Sequence, residues 1–124
     1  MPAISVLLVE DEALISMMVS DALSEVGFKV HEAATADEAL RYLGEGRAVD
    51  VLFTDINLAG GMSGAELAQR ARALKPGLPV VYASGRYRGE DMPGRVPDSV
   101  FVQKPYDPAA VCSLCRRLAD RAPH

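Results

Sequence analysis

Four short apolar runs of this 124-residue chain are each followed at once by side chains that carry charge or a hydroxyl group. The runs begin at positions 5, 51, 80 and 100, and the polar residues that follow them are Glu10, Asp11, Asp55, Ser84 and Lys104. Short apolar runs between turn signals are typical of buried strands. If the runs are parallel strands of one sheet, their carboxyl ends share an edge, and these side chains gather there.

Helical patterns separate the strands. Apolar residues at positions 15, 18, 19, 22, 23 and 26 recur with helical spacing. Capping boxes open the second helix at Thr35 and the third at Ser63, and Asp107 followed by proline starts the last one. The predicted strands are 4–9, 28–33, 49–54, 79–83 and 99–103, and the predicted helices are 12–26, 35–44, 63–75 and 107–121. The stretch 85–97 is crowded with glycine, proline and charge, which favours at most a short helix.

Alternation of strands and helices predicts parallel strands joined by right-handed crossovers. We expect an α/β fold with a doubly wound, five-stranded parallel sheet of order 2-1-3-4-5, the flavodoxin-like arrangement. This order brings the carboxyl ends of the first and third strands together at the switch point, where such folds bind ligands. Glu10, Asp11 and Asp55 are therefore expected to be neighbours.

Composition limits the classes of function. Hydrophobic residues make up 49% of the chain, enough for a core, and the length suits one domain over residues 1–124. The net charge of −4 argues against nucleic acid or anionic membrane as a direct partner. No apolar run approaches the ~20 residues of a membrane span, and no signal peptide is recognised. We expect a cytoplasmic protein, with a monomer favoured.

The two cysteines, Cys112 and Cys115, are spaced C-x-x-C inside the last helical pattern. A reactive pair needs a helix N-terminus or basic surroundings, which this position does not offer. A zinc site needs two further ligands, and the only histidines are His31 and His124. We interpret both cysteines as small apolar residues of a helix.

The expected cluster of carboxylates requires a counter-charge. At ~4 Å each pair of carboxylates costs about 1 kcal/mol in water and about 4 kcal/mol at an effective dielectric constant of 20. Oxygen ligands with room for water suit Mg²⁺. We therefore predict a Mg²⁺ site held by Glu10, Asp11 and Asp55, with the backbone carbonyl of Asn57 as a further ligand.

The same side chains suit phosphoryl transfer, which needs positioning and neutralisation of the phosphoryl oxygens. Asp55 is the predicted nucleophile, and Lys104 and the hydroxyl of Ser84 are predicted to hold oxygens of the phosphoryl group. Each residue also has a structural explanation. An acidic pair after a strand commonly stabilises a helix N-terminus, and the others can be turn, strand-end or solvated residues. That explanation accounts poorly for all the positions together.

The stretches LLVEDE, TDINL, YASG and VQKP, in this order, resemble the receiver domain of two-component response regulators. The resemblance implies that Asp55 accepts a phosphoryl group, with Mg²⁺, from a histidine kinase or a histidine phosphotransfer protein. It also implies that Ser84 is drawn toward the phosphoryl group and that Phe101, where the family often has tyrosine, changes rotamer.

Some residues depart from the family pattern. Ala59 stands where many receivers have proline, and the loop 59–63 is one residue longer than the common form. The stretch 82–87, YASGRY, is similar to the Phe-Ala-Thr-Gly-x-Tyr signature of a receiver subgroup whose members are often free-standing and act in alphaproteobacterial stress phosphorelays. Since the chain stops soon after the last helix, we expect no output domain.

A partner surface is predicted on the first helix. If Ile15, Met18, Val19, Ala22 and Val26 form its core stripe, then two apolar residues are left nearer solvent. These two residues are Leu14 and Met17. They suggest a docking patch for a kinase helix, although scattered exposed apolar residues also occur without function.

Two other functions compete with a non-enzymatic receiver. A phosphatase of the haloacid-dehalogenase type uses a similar set of side chains, but it needs an aspartate two residues after the nucleophile, where this chain has Asn57. A degenerate receiver would dock without taking phosphate, and the acidic pair and Lys104 argue against it.

Overall fold

The protein was analysed as a computed structural model that describes residues 3–58, 61–85, 94–104 and 106–121. Its strands are β1 (Ser5–Val9), β2 (Lys29–Ala33), β3 (Val51–Asp55), β4 (Val80–Ser84) and β5 (Val100–Gln103). Its described helices are α1 (Ala13–Glu25), α2 (Ala36–Gly44), α3 (Gly64–Leu74) and α4 (Pro108–Arg121). The predicted elements are confirmed with shifts of one or two residues at their ends.

The five strands form one parallel sheet in the order β2-β1-β3-β4-β5, which confirms the predicted doubly wound fold. In the register of the central strands, Val9 pairs with Thr54 and Asp55 pairs with Ala83. The carboxyl ends of β1, β3 and β4 therefore lie side by side. This register places the polar residues that follow the apolar runs at one edge.

Helices cover both faces of the sheet, and each face has its own core cluster. One cluster lies beneath α2 and α3 and includes Leu52 and Tyr82, and the other lies beneath α1 and α4 and includes Phe53 and Val81. Successive strand residues alternate between the two clusters, as the pleat requires. Every residue of β3 and β4 is buried, which is why both strands read as continuous apolar runs.

Side-chain caps fix the starts of α2 and α3 where the capping boxes predicted them. The hydroxyl of Thr35 accepts a hydrogen bond from the backbone N–H of Glu38, and that of Ser63 accepts one from Glu66, both at 3.2 Å. The Glu38 carboxylate in turn accepts from the backbone N–H of Ala34 at 3.0 Å. Such caps satisfy N–H groups that a helix leaves unpaired at its first turn.

The start of the third strand was predicted two residues too early. Val49 is buried but lies outside β3, which begins at Val51. Between them, the Asp50 carboxylate accepts a hydrogen bond from the backbone N–H of Ser5 at 2.8 Å. Asp50 is thus a link between the starts of two strands rather than a strand residue.

The predicted core stripe of α1 was too wide. Met18 and Val26 were expected in the core, but they are 51% and 50% exposed. The helix buries Ser16, Val19 and Leu23, a narrower stripe of three- and four-residue steps. Ser16 can be buried in this stripe because its hydroxyl donates a hydrogen bond to the Glu32 carboxylate at 2.7 Å.

Helix α4 carries both cysteines as packing residues. Cys115 is fully buried in the cluster beneath α1 and α4, Cys112 is half-buried against the same cluster, and both are free thiols. Burial raises the pKa of the Cys115 thiol to about 12, which keeps it protonated.

Within the described ranges, no helix combines the length and the apolar character that crossing a bilayer requires.

The segment that precedes β5 is tied to the rest of the domain over its described part, 94–99. The backbone N–H of Val96, which is buried, donates to the hydroxyl of Tyr82 at 3.2 Å. From α3, the amide of Gln69 donates to the carbonyl of Gly94 at 2.6 Å, and the Arg72 guanidinium donates to the carbonyl of Pro97. The short helix considered for 85–97 falls largely on residues 86–93, which lie outside the described residues.

We predict that Tyr82→Phe loosens this segment. The substitution keeps the ring in the core but leaves the buried N–H of Val96 without its acceptor, which costs about 1–3 kcal/mol. The free energy of unfolding, measured by denaturant titration, should fall by that amount, and amide exchange at Val96 should accelerate by about tenfold or more. Tyr42→Phe, at a half-buried tyrosine of α2, is the control. Unchanged exchange at Val96 would contradict the prediction.

Candidate functional site

Three carboxylates converge at the switch point of the sheet, as the strand order predicted. Glu10 and Asp11 follow β1, and Asp55 ends β3. One oxygen of each of the three carboxylates lies within 4.8 Å of the others. Glu10 and Asp55 are buried, whereas Asp11 is exposed. The cluster is thus open to solvent on the side of Asp11.

The backbone around Asp55 is fixed by neighbouring strands. The N–H of Ile56 donates to the carbonyl of Ala83 at 3.1 Å, and the hydroxyl of Thr54 donates to the carbonyl of Asp55 at 2.9 Å. Asp55 itself is only 6% exposed. These bonds hold the backbone of Asp55 at the edge of the sheet.

Lys104 joins the two buried carboxylates. Its ammonium Nζ lies 3.0 Å from Oδ2 of Asp55 and 3.1 Å from Oε2 of Glu10. The backbone N–H of Lys104 donates to the carbonyl of Ser84 at 3.0 Å. This bond fixes the position of the Lys104 backbone at the end of β4. Burial acts to lower the pKa of Lys104, but the hydrogen bonds to Asp55 and Glu10 outweigh it and the pKa is raised. The predicted meeting of Lys104 and Asp55 is confirmed.

The surroundings of Glu10 disfavour the ionised form of its carboxylate. It is 3% exposed, and burial, followed by the charge of Asp55, raises its pKa to about 7. The N–H of Glu12, which donates to Oε1 at 3.1 Å, and Lys104 act in the opposite direction. The bond from the N–H of Glu12 ties Glu10 to the residue that precedes α1, but no side-chain hydrogen bond caps the helix.

The donor set fits a hard divalent cation. Three carboxylates face one ammonium group, so negative charge remains in excess. Their oxygens are close enough to share one ion, and oxygen-only sites with room for water suit Mg²⁺. Asn57 is exposed two residues beyond β3, and its carbonyl remains a predicted ligand.

The other predicted residues lie next to this cluster or one strand further out. Ser84 ends β4 and is buried, one residue beyond Ala83, the register partner of Asp55. Phe101 is half-buried in β5, pairs with Tyr82, and packs against the cluster beneath α2 and α3. Their roles in phosphorylation remain predictions.

Gly64, at the start of α3, shapes the site in a way that the sequence did not reveal. A Cβ atom at this position would lie 2.0 Å from the carbonyl oxygen of Asp55, so only glycine lets α3 approach the end of β3 this closely. The N–H of Gly64 donates to the carbonyl of Ile56 at 2.7 Å. The capping box signalled a helix start here, but contact with a distant strand has no local signature.

Tyr106 is the second residue that sequence reasoning missed. Its ring meets that of Phe53 edge-on, with centroids 5.6 Å apart. Its hydroxyl oxygen is buried and, among the described residues, has no hydrogen-bond partner. Burial and then the charge of Glu10 raise the pKa of Tyr106 to about 12.

We predict that Glu10 makes the metal-free protein less stable as pH rises. Because the folded pKa of about 7 lies above the unfolded value of 4.5, the native state holds the proton more tightly between these values. The free energy of unfolding should therefore fall by about 2–3 kcal/mol from pH 4.5 to 7 through this group alone. Glu10→Gln, which keeps an acceptor oxygen, should remove this fall.

The measurement is denaturant unfolding in EDTA across that pH range. Glu12→Gln, at the exposed neighbouring carboxylate, is the control. Parallel pH curves for the Glu10→Gln variant and the unaltered protein would contradict the prediction.

Comparison with known proteins places this geometry in a family. The transcriptional regulatory protein CreB of Escherichia coli is 32% identical over 121 residues, which are 94% of this chain and 51% of CreB. The sensor kinase CckA of Brucella abortus is 30% identical over 121 residues, which are 94% of this chain and 13% of that protein. The chain thus spans about half or less of the length of these curated relatives.

Solved structures agree with the sequence relatives. A response regulator receiver protein from Sinorhizobium medicae is 31% identical, with a TM-score of 0.89 and 96% of each chain covered. The receiver domain of the hybrid histidine kinase CckA is 27% identical, with a TM-score of 0.80 and coverage of 93% of this chain and 98% of that one. A family model of the response regulator receiver domain matches residues 6–116, and the chain belongs to this family of two-component signalling domains.

Proposed function

We propose that this receiver domain is a phosphoacceptor in which Asp55 takes a phosphoryl group from a histidine side chain in a Mg²⁺-dependent step. The observation that carries the proposal is the contact of Lys104 with Asp55 and Glu10, beside the exposed carboxylate of Asp11. An ammonium group and a cation-binding cluster next to one buried aspartate suit the transfer of a phosphoryl group.

In the proposed step, a carboxylate oxygen of Asp55 attacks phosphorus. The O–P bond forms as the P–N bond of the phosphohistidine breaks, and the imidazole leaves with the bonding pair and takes up a proton. Mg²⁺ bound by Glu10, Asp11 and Asp55 would neutralise charge on the transferred group. Lys104 holds a second phosphoryl oxygen and Ser84 a third.

The proposed switch runs through β4 and β5. Ser84 ends the strand that carries Tyr82, whose hydroxyl holds the N–H of Val96. Phe101 pairs with Tyr82 across the two strands. A shift of Ser84 toward the phosphoryl group would therefore reach Phe101 and the segment 94–99 through direct contacts. The addition of about two negative charges supplies the driving force.

The proposed partner is a histidine kinase or a histidine phosphotransfer protein that docks on α1. Leu14 and Met17 are 77% and 53% exposed, as predicted, and Met18 adds a third exposed apolar side chain. Beside them a cavity of about 270 Å³ is lined by Ile15, Met18, Lys104 and Tyr106, so the apolar surface reaches the acidic cluster. An apolar helix face of a partner would bring its histidine to Asp55.

Non-enzymatic signalling is favoured over phosphatase activity. The general acid that a haloacid-dehalogenase phosphatase needs would stand at Asn57, whose amide cannot donate a proton to a leaving group. Turnover of small phosphate esters would contradict the non-enzymatic assignment.

We also assign the chain to the subgroup with the Phe-Ala-Thr-Gly-x-Tyr signature on the basis of residues 82–87, of which 86 and 87 lie outside the described residues.

We predict that Asp55→Asn abolishes labelling by acetyl phosphate in the presence of Mg²⁺. The amide is a poor nucleophile, so no acyl phosphate should form. Labelling is followed by intact-protein mass spectrometry, with and without EDTA. Asp21→Asn, at an exposed aspartate of α1, serves as control and should label like the unaltered protein. Label that persists on another residue of the Asp55→Asn variant would refute the assignment.

We predict that Leu14→Arg slows phosphotransfer from the cognate kinase by about tenfold or more. The reason is that a charge replaces an apolar side chain that the partner would cover. The kinase is first identified by profiling phosphotransfer from candidate kinases. Labelling by acetyl phosphate, which needs no docking, should be unchanged. Leu74→Arg, at an exposed leucine of α3, is the matched control. Equal transfer rates for the two variants would exclude docking on α1.

A further inference from the structure

The hydroxyl of Tyr106 is a buried polar group for which the described residues offer no hydrogen-bond partner. Native proteins rarely keep such a group without a reason, because a buried donor that has lost water and gained no acceptor raises the free energy of the fold. Phenylalanine would fill the same space against Phe53 without this cost. The hydroxyl therefore calls for an acceptor that another state of the protein supplies.

The surroundings of Tyr106 indicate which acceptor this is. Tyr106 follows Lys104 by two residues and lines the same cavity beside α1. Lys104, which lines this cavity with Tyr106, lies 3.1 Å from Oε2 of Glu10, and burial followed by the charge of Glu10 raises the pKa of Tyr106. The nearby site thus contains a carboxylate that can accept a hydrogen bond.

In the unphosphorylated structure each oxygen of the Glu10 carboxylate already accepts a hydrogen bond. Its Oε1 accepts from the N–H of Glu12, and its Oε2 accepts from the Lys104 ammonium, which also bonds to Asp55. A phosphoryl group on Asp55 would bring about two negative charges to the other partner of Lys104. An ammonium drawn to those oxygens would leave the buried Glu10 carboxylate with one hydrogen-bond donor fewer, also when another of its lone pairs binds the proposed Mg²⁺.

We propose that Tyr106 is a positioning residue of the phosphorylated state, whose hydroxyl donates to the Glu10 carboxylate once Lys104 has turned to the phosphoryl group. The inference rests on the proposed function. One rearrangement then gives an acceptor to the hydroxyl, which has none among the described residues, and a donor to the carboxylate that Lys104 leaves. The hydroxyl disfavours the resting state and favours the phosphorylated one, so it biases the switch without touching phosphorus.

The test is Tyr106→Phe, which removes one oxygen and keeps the ring against Phe53. The metal-free variant should be more stable than the unaltered protein, with a melting temperature higher by about 2–5 °C, because it lacks a buried hydroxyl that finds no partner in the described part of the chain. Its affinity for beryllofluoride with Mg²⁺, an analogue of the phosphorylated state, should be weaker by about five- to tenfold. Calorimetry measures both quantities.

The opposite signs of the two effects separate positioning from a merely structural role, which would lower stability and affinity together. Tyr42→Phe, at a tyrosine stacked on His31 and outside the carboxylate cluster, is the matched control and should leave beryllofluoride affinity unchanged. Equal affinity in the Tyr106→Phe variant, or a lower melting temperature, would overturn the inference and leave the proposed function intact. Failure of the unaltered protein and the control to bind beryllofluoride would instead overturn the proposed function.

Discussion

The contact of one ammonium group with two buried carboxylates is the interaction on which this structure depends. Lys104 lies within hydrogen-bond distance of Glu10 and Asp55, which are 3% and 6% exposed. Without it, two like charges would share a poorly hydrated site. With it, a third carboxylate still leaves negative charge in excess. Burial and then the charge of Asp55 raise the pKa of Glu10 to about 7. A divalent cation would offset that excess.

The fold supplies this contact through strand order rather than through local sequence. β1 and β3 are neighbours, so Glu10 and Asp55 meet although 45 positions separate them. β5 lies two strands from β3, and Lys104 crosses the end of β4, where its N–H bonds to the carbonyl of Ser84. Gly64 completes the arrangement, since any larger residue would push α3 away from the Asp55 backbone.

Sequence reasoning succeeded where a feature has a periodic or local signature. Apolar runs ending on polar residues predicted the sheet edge, and hydroxyl caps predicted the starts of α2 and α3. It failed where burial depends on a partner distant in sequence. Met18 was expected in the core because helical spacing cannot tell which side of a stripe a neighbouring element covers. Ser16, paired with Glu32, and Tyr106, against Phe53, owe their burial to such distant contacts.

The most direct test of the account is a crystal structure of the protein with Mg²⁺ and beryllofluoride. The account predicts the adduct on Asp55, the cation among the oxygens of Glu10, Asp11 and Asp55, and the ammonium of Lys104 within hydrogen-bond distance of a fluorine. An adduct on a different residue, or Lys104 directed away from a beryllofluoride bound at Asp55, would contradict the central claim.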